Sequence, residues 1–552
     1  MTAELEHCDI VFWGATVVDG TGAPRYTADV AVDDDRIAAI GDLGAVTADE
    51  DLAAAGRVLA PGFIDTHAHD DQALLAEPDM AVVSQGVTTA IIGNCGIGLG
   101  RASKVPPARR RPARTLAALS GSPRYGRYRG DPPPCDHTHR TPPGPPCGRT
   151  TLLSKHALAP LPIGSSPPPP FTLLGGPEVF SYPTMESYLR ELTERAPAVD
   201  VGCLVGHSTL RLGAMDDLTR PAAPREAAEM RERMREAMTA GAIGLSSGVW
   251  YPPAAAATLD EIVDLAGVAA EFGGVAVSHV RDEGDDVIAA LDEAFGVGAR
   301  AGVPLVISHH KVVGRRNFGR TAETIALIDQ MCTTQAISFD VYPYTAASSW
   351  LRPDYLHLCK NVTVTWSKPY PRTRGRDVAD LAGEWGCAEE EAARRLQPGG
   401  AVYFNMDERD VRRVLSHPRA MIGSDGIPGD THPHPRLWGT FPRVLGRYCR
   451  ELGLFSLEEA VRRMTALPAV TYGFAGRGTI RPGAYADLVL FDPDEIVGTA
   501  TYQEPTRAAI GIDLVLVNGT PVWRSGGTCK ARPGRVLERS AEAAVTHRGE
   551  TA

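Results

Sequence analysis

His67 and His69 stand two residues apart, just after the apolar, extended run Phe63-Ile64-Asp65-Thr66 and the break Pro61-Gly62 that precedes it. On a strand, side chains i and i+2 share a face. Two imidazoles on one face at a strand's C-terminal end are a ready pair of ligands for a metal such as zinc. Taken alone, a His-x-His pair is more often two hydrogen-bonded histidines. The rest of the chain shifts that balance, because other ligand-competent residues stand at corresponding places. Residues 88–92 run into Gly93-Asn94-Cys95-Gly96, and 199–205 into Gly206-His207. Residues 275–277 run into Ser278-His279, 303–307 into Ser308-His309-His310-Lys311, and 420–422 into Gly423-Ser424-Asp425.

These polar residues each close a short, nearly continuous apolar run. Similar runs at 242–245 and 336–339 bring the total to about eight, the number in a closed parallel barrel. Helical patterns separate many of them, at 225–240, 259–272 and 321–331. The expected fold is therefore α/β, a (β/α)8 TIM-like barrel, whose C-terminal rim carries the active site. Short strands with Gly and Asp turns fill residues 1–60, and similar segments recur at 476–535 around the turn Asn518-Gly519. Both chain ends are expected to build one small β-domain. The barrel would then span 61–475, and 536–552 would be a disordered tail. Residues 352–418 are expected to form a helical insertion, because 377–415 is rich in Ala, Glu and Arg.

At 552 residues the chain is long enough for a barrel plus a second domain. Its 43% hydrophobic and 22% charged residues are ordinary for a globular protein. A net charge of -11 argues against nucleic acid as a general partner. No apolar run reaches the ~18 residues of a membrane span. The start Met1-Thr2-Ala3-Glu4 lacks the basic and then apolar pattern of a secretory signal. Ten scattered cysteines fit reduced thiols and a cytoplasmic setting.

Residues 101–157 differ from everything around them. They are rich in Arg and Pro, with only Asp131 and Asp136 as acids and no helical or strand period. The expectation is a disordered insertion that contributes nothing to the site. Cys135, His137, His139 and Cys147 imitate a zinc site, but their spacing fits no common one. An Arg/Pro/Gly/Ala-rich composition is also what GC-rich DNA yields when read out of frame.

The stretches Gly62-Phe63-Ile64-Asp65-Thr66-His67-Ala68-His69-Asp70, Gly93-Asn94-Cys95-Gly96 and Gly244-Leu245-Ser246-Ser247-Gly248-Val249-Trp250-Tyr251 resemble the amidohydrolase superfamily. Ser424-Asp425-Gly426, with His432-Pro433-His434-Pro435-Arg436-Leu437-Trp438, is similar to the N-acyl-D-amino-acid deacylase (D-aminoacylase) family within it. The resemblance covers nearly the whole chain except 101–157.

It implies a zinc-dependent hydrolase that releases a D-amino acid from its N-acyl derivative, a small-molecule substrate. Cys95, His279 and His309 match the principal zinc position, and His67 and His69 a second, weaker one. Many amidohydrolases bridge two metals with a carboxylated lysine; none stands at a suitable strand end here, and Cys95 takes that place. Asp425 is the expected general base, moving a proton from water to the departing nitrogen. The substrate's α-carboxylate needs cationic and hydroxyl donors. The resemblance offers Lys311, Tyr342, Ser348 and Arg436, with Tyr251 nearby. His207 would hydrogen-bond the substrate carbonyl or orient the site. The competing readings are a hydantoinase- or dihydropyrimidinase-like cyclic-amide hydrolase, an inactive amidohydrolase-like scaffold, and an enzyme damaged by the stretch that follows Cys95.

Overall fold

The computed structural model describes residues 5–76, 80–100, 167–176 and 179–540. The expected insertion 101–157, with its Cys and His residues, lies outside the described residues.

Eight parallel strands pair in chain order: Phe63–Asp65, Val87–Ile92, Asp200–Gly206, Gly244–Gly248, Val275–His279, Leu305–Ile307, Ile337–Val341 and Ala420–Ile422. The ring closes where Thr66 N donates to Ile422 O at 3.3 Å and Ala68 bridges Gly426 in parallel. Alternate residues of the strands, among them Ile64, Ile91, Leu204, Val275, Val277, Val306 and Met421, form one buried cluster with Tyr472 and Phe474. Their neighbours Ile92, Val205, Ala276, Ile307 and Phe339 belong to the larger cluster shared with the helices. That division is the period-2 signature of strands covered on both faces.

The helices follow from their sequences. In Pro224–Thr239 a proline opens the first turn, Glu226 accepts from Ala223 N at 2.7 Å, and Met230, Met234, Ala237 and Met238 are buried. That spacing makes one apolar stripe. Leu259–Glu271 is capped by Thr258 and buries Ile262, Leu265, Ala266 and Ala269.

The small β-domain is built from both chain ends. His7–Val17 pairs with Tyr26–Asp33, Thr47–Ala53 and Val58–Pro61, and Leu488–Phe491 joins antiparallel to Val58–Pro61. Ile512–Val517 and Thr520–Arg524 extend the sheet through Asn518-Gly519, both at positive φ (48° and 77°). Two such residues suit the twist of a tight hairpin. Only Gly62 separates the strand Val58–Pro61 of this sheet from the first barrel strand, Phe63–Asp65.

Two expectations differ from the structure. The segment 352–418 is not simply helical. Helices Val378–Trp385, Glu389–Leu396 and Glu408–Ser416 accompany a three-stranded antiparallel sheet, Ala347–Trp350, Gly399–Tyr403 and Val362–Ser367. Its middle strand starts on Gly399-Gly400, and a side chain at Gly400 would meet Trp366 Nε1 at 2.5 Å. Glycines demanded by close packing hide a strand from composition. The expected tail is also ordered at its start: Val536–Leu537 pairs in parallel with Val201 and Gly202, and Arg535 N donates to Asp200 Oδ1 at 2.8 Å. Residues 541–552 lie outside the described residues. Among the described residues, no helix is long and apolar enough to cross a membrane.

Candidate active site

The barrel's C-terminal rim gathers His67, His69, Cys95, His279, His309 and Asp425, which come from five of the eight strands. Their donor atoms form two overlapping groups, His67–His69–Cys95–Asp425 and Cys95–His279–His309, with all atoms of a group within 4.8 Å of one another. Cys95 belongs to both. Its Sγ lies 3.2 Å from His67 Nε2 and 3.5 Å from both His279 Nδ1 and His309 Nε2. Asp425 Oδ1 lies 3.2 Å from His69 Nε2 and 3.6 Å from His67 Nε2.

The local sequence explains the aim of each side chain. Cys95, His309 and Asp425 all have positive φ, 53°, 33° and 50°. Side-chain-bearing residues avoid that region unless their surroundings impose it, and such strain concentrates at functional sites. For Cys95 the surroundings are Gly93 and Gly96. A side chain at Gly93 would collide with Leu204 O, and one at Gly96 would meet Gly248 N at 2.8 Å. Ser246 staples the loop, its Oγ accepting from Gly96 N at 2.8 Å and donating to Gly93 O at 2.6 Å. Asp65 Oδ1 ties the first strand to the last by accepting from His67 N at 3.1 Å and Ser424 N at 2.8 Å.

Two carboxylates at the site escape sequence reasoning. Asp340 lies 3.3 Å from His67 Nδ1 and accepts from His309 N at 2.8 Å. Glu283 lies 3.1 Å from His309 Nδ1 and 2.6 Å from Lys311 Nζ. Carboxylates behind imidazoles fix ring orientation at metal sites. Asp340 does stand at a strand end; Glu283 lies in the turn after His279 and has no local signal.

The expected carboxylate-binding residues fall beside the cluster. Arg436 is fully buried, its NH1 2.8 Å from Asp425 Oδ2 and its NH2 donating to Ser348 O at 3.3 Å. Its guanidinium carbon lies 4.5 Å from the centre of the Tyr342 ring. Tyr251 sits 4.9 Å from the His279 ring. Lys311 is engaged by Glu283 and, at 2.8 Å, by His309 Nδ1. His207 is placed apart: it joins neither ligand group, and its Nε2 lies 2.9 Å from Glu261 Oε1.

The electrostatics fit a bound cation. Burial disfavours the charged forms of Cys95 and Asp425, yet both are held well below their ordinary pKa. For Cys95 the opposing partners are His67 and His309, and for Asp425 they are Arg436 and His67. Burial likewise opposes charge on His69, but Asp425 and Cys95 outweigh it and push the pKa up to about 9. A buried thiolate and carboxylate thus draw positive charge to their centre. The nitrogens turned toward the cluster are His69 Nε2, 3.2 Å from Asp425 Oδ1, and His279 Nδ1, 3.5 Å from Cys95 Sγ. One thiolate with two imidazoles is a zinc donor set that leaves a position for a reactant.

The Amidohydrolase family model matches residues 52–321 and 373–523. The chain belongs to the amidohydrolase family. D-aminoacylase of Alcaligenes xylosoxydans xylosoxydans is 43% identical over 534 residues, covering 97% of this chain and 98% of the relative. N-acyl-D-aspartate deacylase of the same organism is 42% identical over 96% of this chain and 95% of its own. A solved N-acyl-D-glutamate deacylase from Bordetella bronchiseptica, complexed with zinc and a phosphonate inhibitor, superposes with a TM-score of 0.83. It is 41% identical over 97% of this chain and 100% of that one. The D-hydantoinase from Bacillus sp. AR9, at 16% identity, 96% and 99% coverage and TM-score 0.54, shares the fold alone. Within the amidohydrolases, this rim therefore stands beside those of the D-amino-acid deacylases.

Proposed function

We propose that this amidohydrolase cleaves the amide bond of N-acyl-D-amino acids, giving a carboxylate and a free D-amino acid, with zinc as its metal. The observation that carries the reading is the meeting of Cys95, His279 and His309 around one point, with Asp425 and Arg436 against them. Cys95, His279 and His309 would hold one zinc tightly, and His67 and His69 would offer a weaker second position. Zinc so held would polarise the acyl carbonyl and acidify a water.

The chain's own residues do the rest. Arg436 meets the substrate α-carboxylate, with the Tyr342 hydroxyl, which lacks a partner, and Ser348 beside it. A carboxylate arriving at Arg436 competes with Asp425 for that guanidinium and so releases Asp425 as a base. Asp425 Oδ1 then takes the proton of the attacking water, and the same oxygen returns it to the leaving nitrogen. Lys311 and Glu283 hold His309 in place, and Tyr251 closes the far side of His279. Eight free cysteines among the described residues support a cytoplasmic setting.

The test is zinc analysis together with a panel of N-acetyl amino acids in both enantiomers. Release from the D series, with about one zinc per chain retained on dialysis, is expected. Faster release from the L series overturns the reading.

A further inference from the structure

A cleft of about 660 Å³ opens beside the metal cluster, walled by Trp250, Pro252, Trp350, Arg352, Asp354 and Gln397. Trp250 brings it against the chemistry, since its ring stacks on His279 at 5.5 Å with an interplanar angle of 20°. We propose that Asp354 occupies the anion-receiving face of Arg352, so that this cleft accepts a neutral amino-acid side chain and excludes an acidic one. The inference rests on the deacylase reading and names the substrate class within it.

The cleft is the place for the side chain rather than the acyl group. Arg436 reaches Ser348 O, and Ser348 lies on the strand Ala347–Trp350 two residues before Trp350. Residues i and i+2 share a face about 7 Å apart. With the α-carboxylate at Arg436, the group on the substrate's Cα would run along this face, which leads through Trp350 into the cleft. The acyl group lies across the scissile bond, on the Cys95 side.

Arg352 is built into the wall. Its guanidinium carbon lies 4.7 Å from the Trp250 ring centre, 5.3 Å from that of Trp350 and 5.6 Å from that of Tyr355. Three aromatic faces hold the cation in position. A guanidinium fixed there is the group that a substrate's second carboxylate would seek through a two-point fork. The Nε–NH2 edge of that fork is already filled. Nε donates to Asp354 Oδ1 at 3.1 Å, and NH2 pairs with Asp354 Oδ2. The pair is neutral, and the rest of the lining is indole, proline and alanine with the uncharged Thr219 and Gln397. An acidic side chain would meet the Asp354 carboxylate before it could reach Arg352.

The experiment compares kcat/KM of the zinc-loaded protein on N-acetyl-D-leucine, N-acetyl-D-glutamate and N-succinyl-D-leucine, for the native chain and Asp354→Asn. Native protein should prefer leucine to glutamate. Asp354→Asn should raise the glutamate-to-leucine ratio by about tenfold or more, chiefly through KM for glutamate, as a freed charge-assisted hydrogen bond implies. A native preference for glutamate, an unchanged ratio in the variant, or a gain confined to N-succinyl-D-leucine each overturns the inference.

Tryptophan fluorescence titration with the same compounds in the Asp425→Asn background reads binding without turnover. If no D compound is hydrolysed but leucine binds more tightly than glutamate and Asp354→Asn reverses that order, the deacylase reading fails while the cleft assignment stands. If binding shows no such order, the cleft assignment fails.

Discussion

The cluster around Cys95 and the cluster around Glu261 lie at the same rim of the barrel, and each buries histidine, carboxylate and arginine. They differ in how their charges close. Glu261 Oε1 accepts from Arg211 NH1 at 2.5 Å and lies 2.9 Å from His207 Nε2, while Oε2 accepts from Ala222 N at 3.1 Å. Arg211 spends its other donors on the carbonyls of Pro253, Leu218 and Arg220. One anion faces one cation, and burial lowers the pKa of His207, which stays neutral. Around Cys95 the anions outrun the permanent cations, and the imidazoles of His67, His69 and His309 are pushed toward protonation to compensate, while burial and the neighbouring His309 hold that of His279 down. A histidine at the end of a barrel strand is thus a ligand candidate where it faces the shared thiolate rather than a carboxylate already matched by an arginine. His309 meets that condition; His207 does not.

Breaking the Cys95 side should have the largest effect. Cys95→Ala removes the donor common to both groups, so zinc measured after dialysis should fall well below one per chain. Hydrolysis should drop toward background, because an ion held by two imidazoles dissociates readily. Asp425→Asn comes next: kcat/KM should fall about 10²- to 10⁴-fold with zinc content preserved. Retained activity in Asp425→Asn would assign the proton transfer elsewhere. Asp340→Asn sharpens the comparison from behind the ligands, and zinc affinity measured by competition with a chelator should weaken about 10- to 100-fold.

On the Glu261 side the readout changes from metal to stability. Glu261→Gln leaves Arg211 as an uncompensated buried charge, and denaturant melts should show a loss of about 3 kcal/mol. Zinc content should be that of the native protein; a loss of zinc would join the two clusters that the geometry separates. The smallest effect is the pH limb. Burial opposes ionisation of Glu261, but bonds from His207 and Arg211 outweigh it and hold its pKa at about 2, against an ordinary 4.5. A depressed folded pKa gives stability that is complete above the unfolded value and is lost as pH falls from about 4.5 toward 2. Acid melts of Glu261→Gln should lack that slope.

The sequence exposes what depends on short-range pattern. Helix Leu259–Glu271 and the barrel strands are legible because apolar spacing is local. The Cys95 loop is legible because Gly93 and Gly96 are required by backbone geometry. Glu283 is not, since a carboxylate that orients a distant imidazole carries no mark in its own neighbourhood; Asp340 stands at a strand end, yet nothing near it in the chain points to the two histidines it holds. His207 misleads for the opposite reason: it has the right address at a strand end, and its partner Glu261 lies 54 positions later in the chain. The strand Gly399–Tyr403 and the pairing of Val536–Leu537 with the barrel were equally hidden, because each is set by a surface supplied from elsewhere.

The single residue between the small sheet and the barrel has a mechanical consequence. Gly62 N donates to Asp487 O at 2.8 Å, and any Cβ at this position would fall inside the side chain of Thr88. There is no slack at this junction. A side chain introduced here must push the Phe63–Asp65 strand sideways, carrying with it the imidazoles five and seven residues downstream. The terminal sheet therefore works as an anchor that sets where His67 and His69 stand, although it contributes no atom to the reaction.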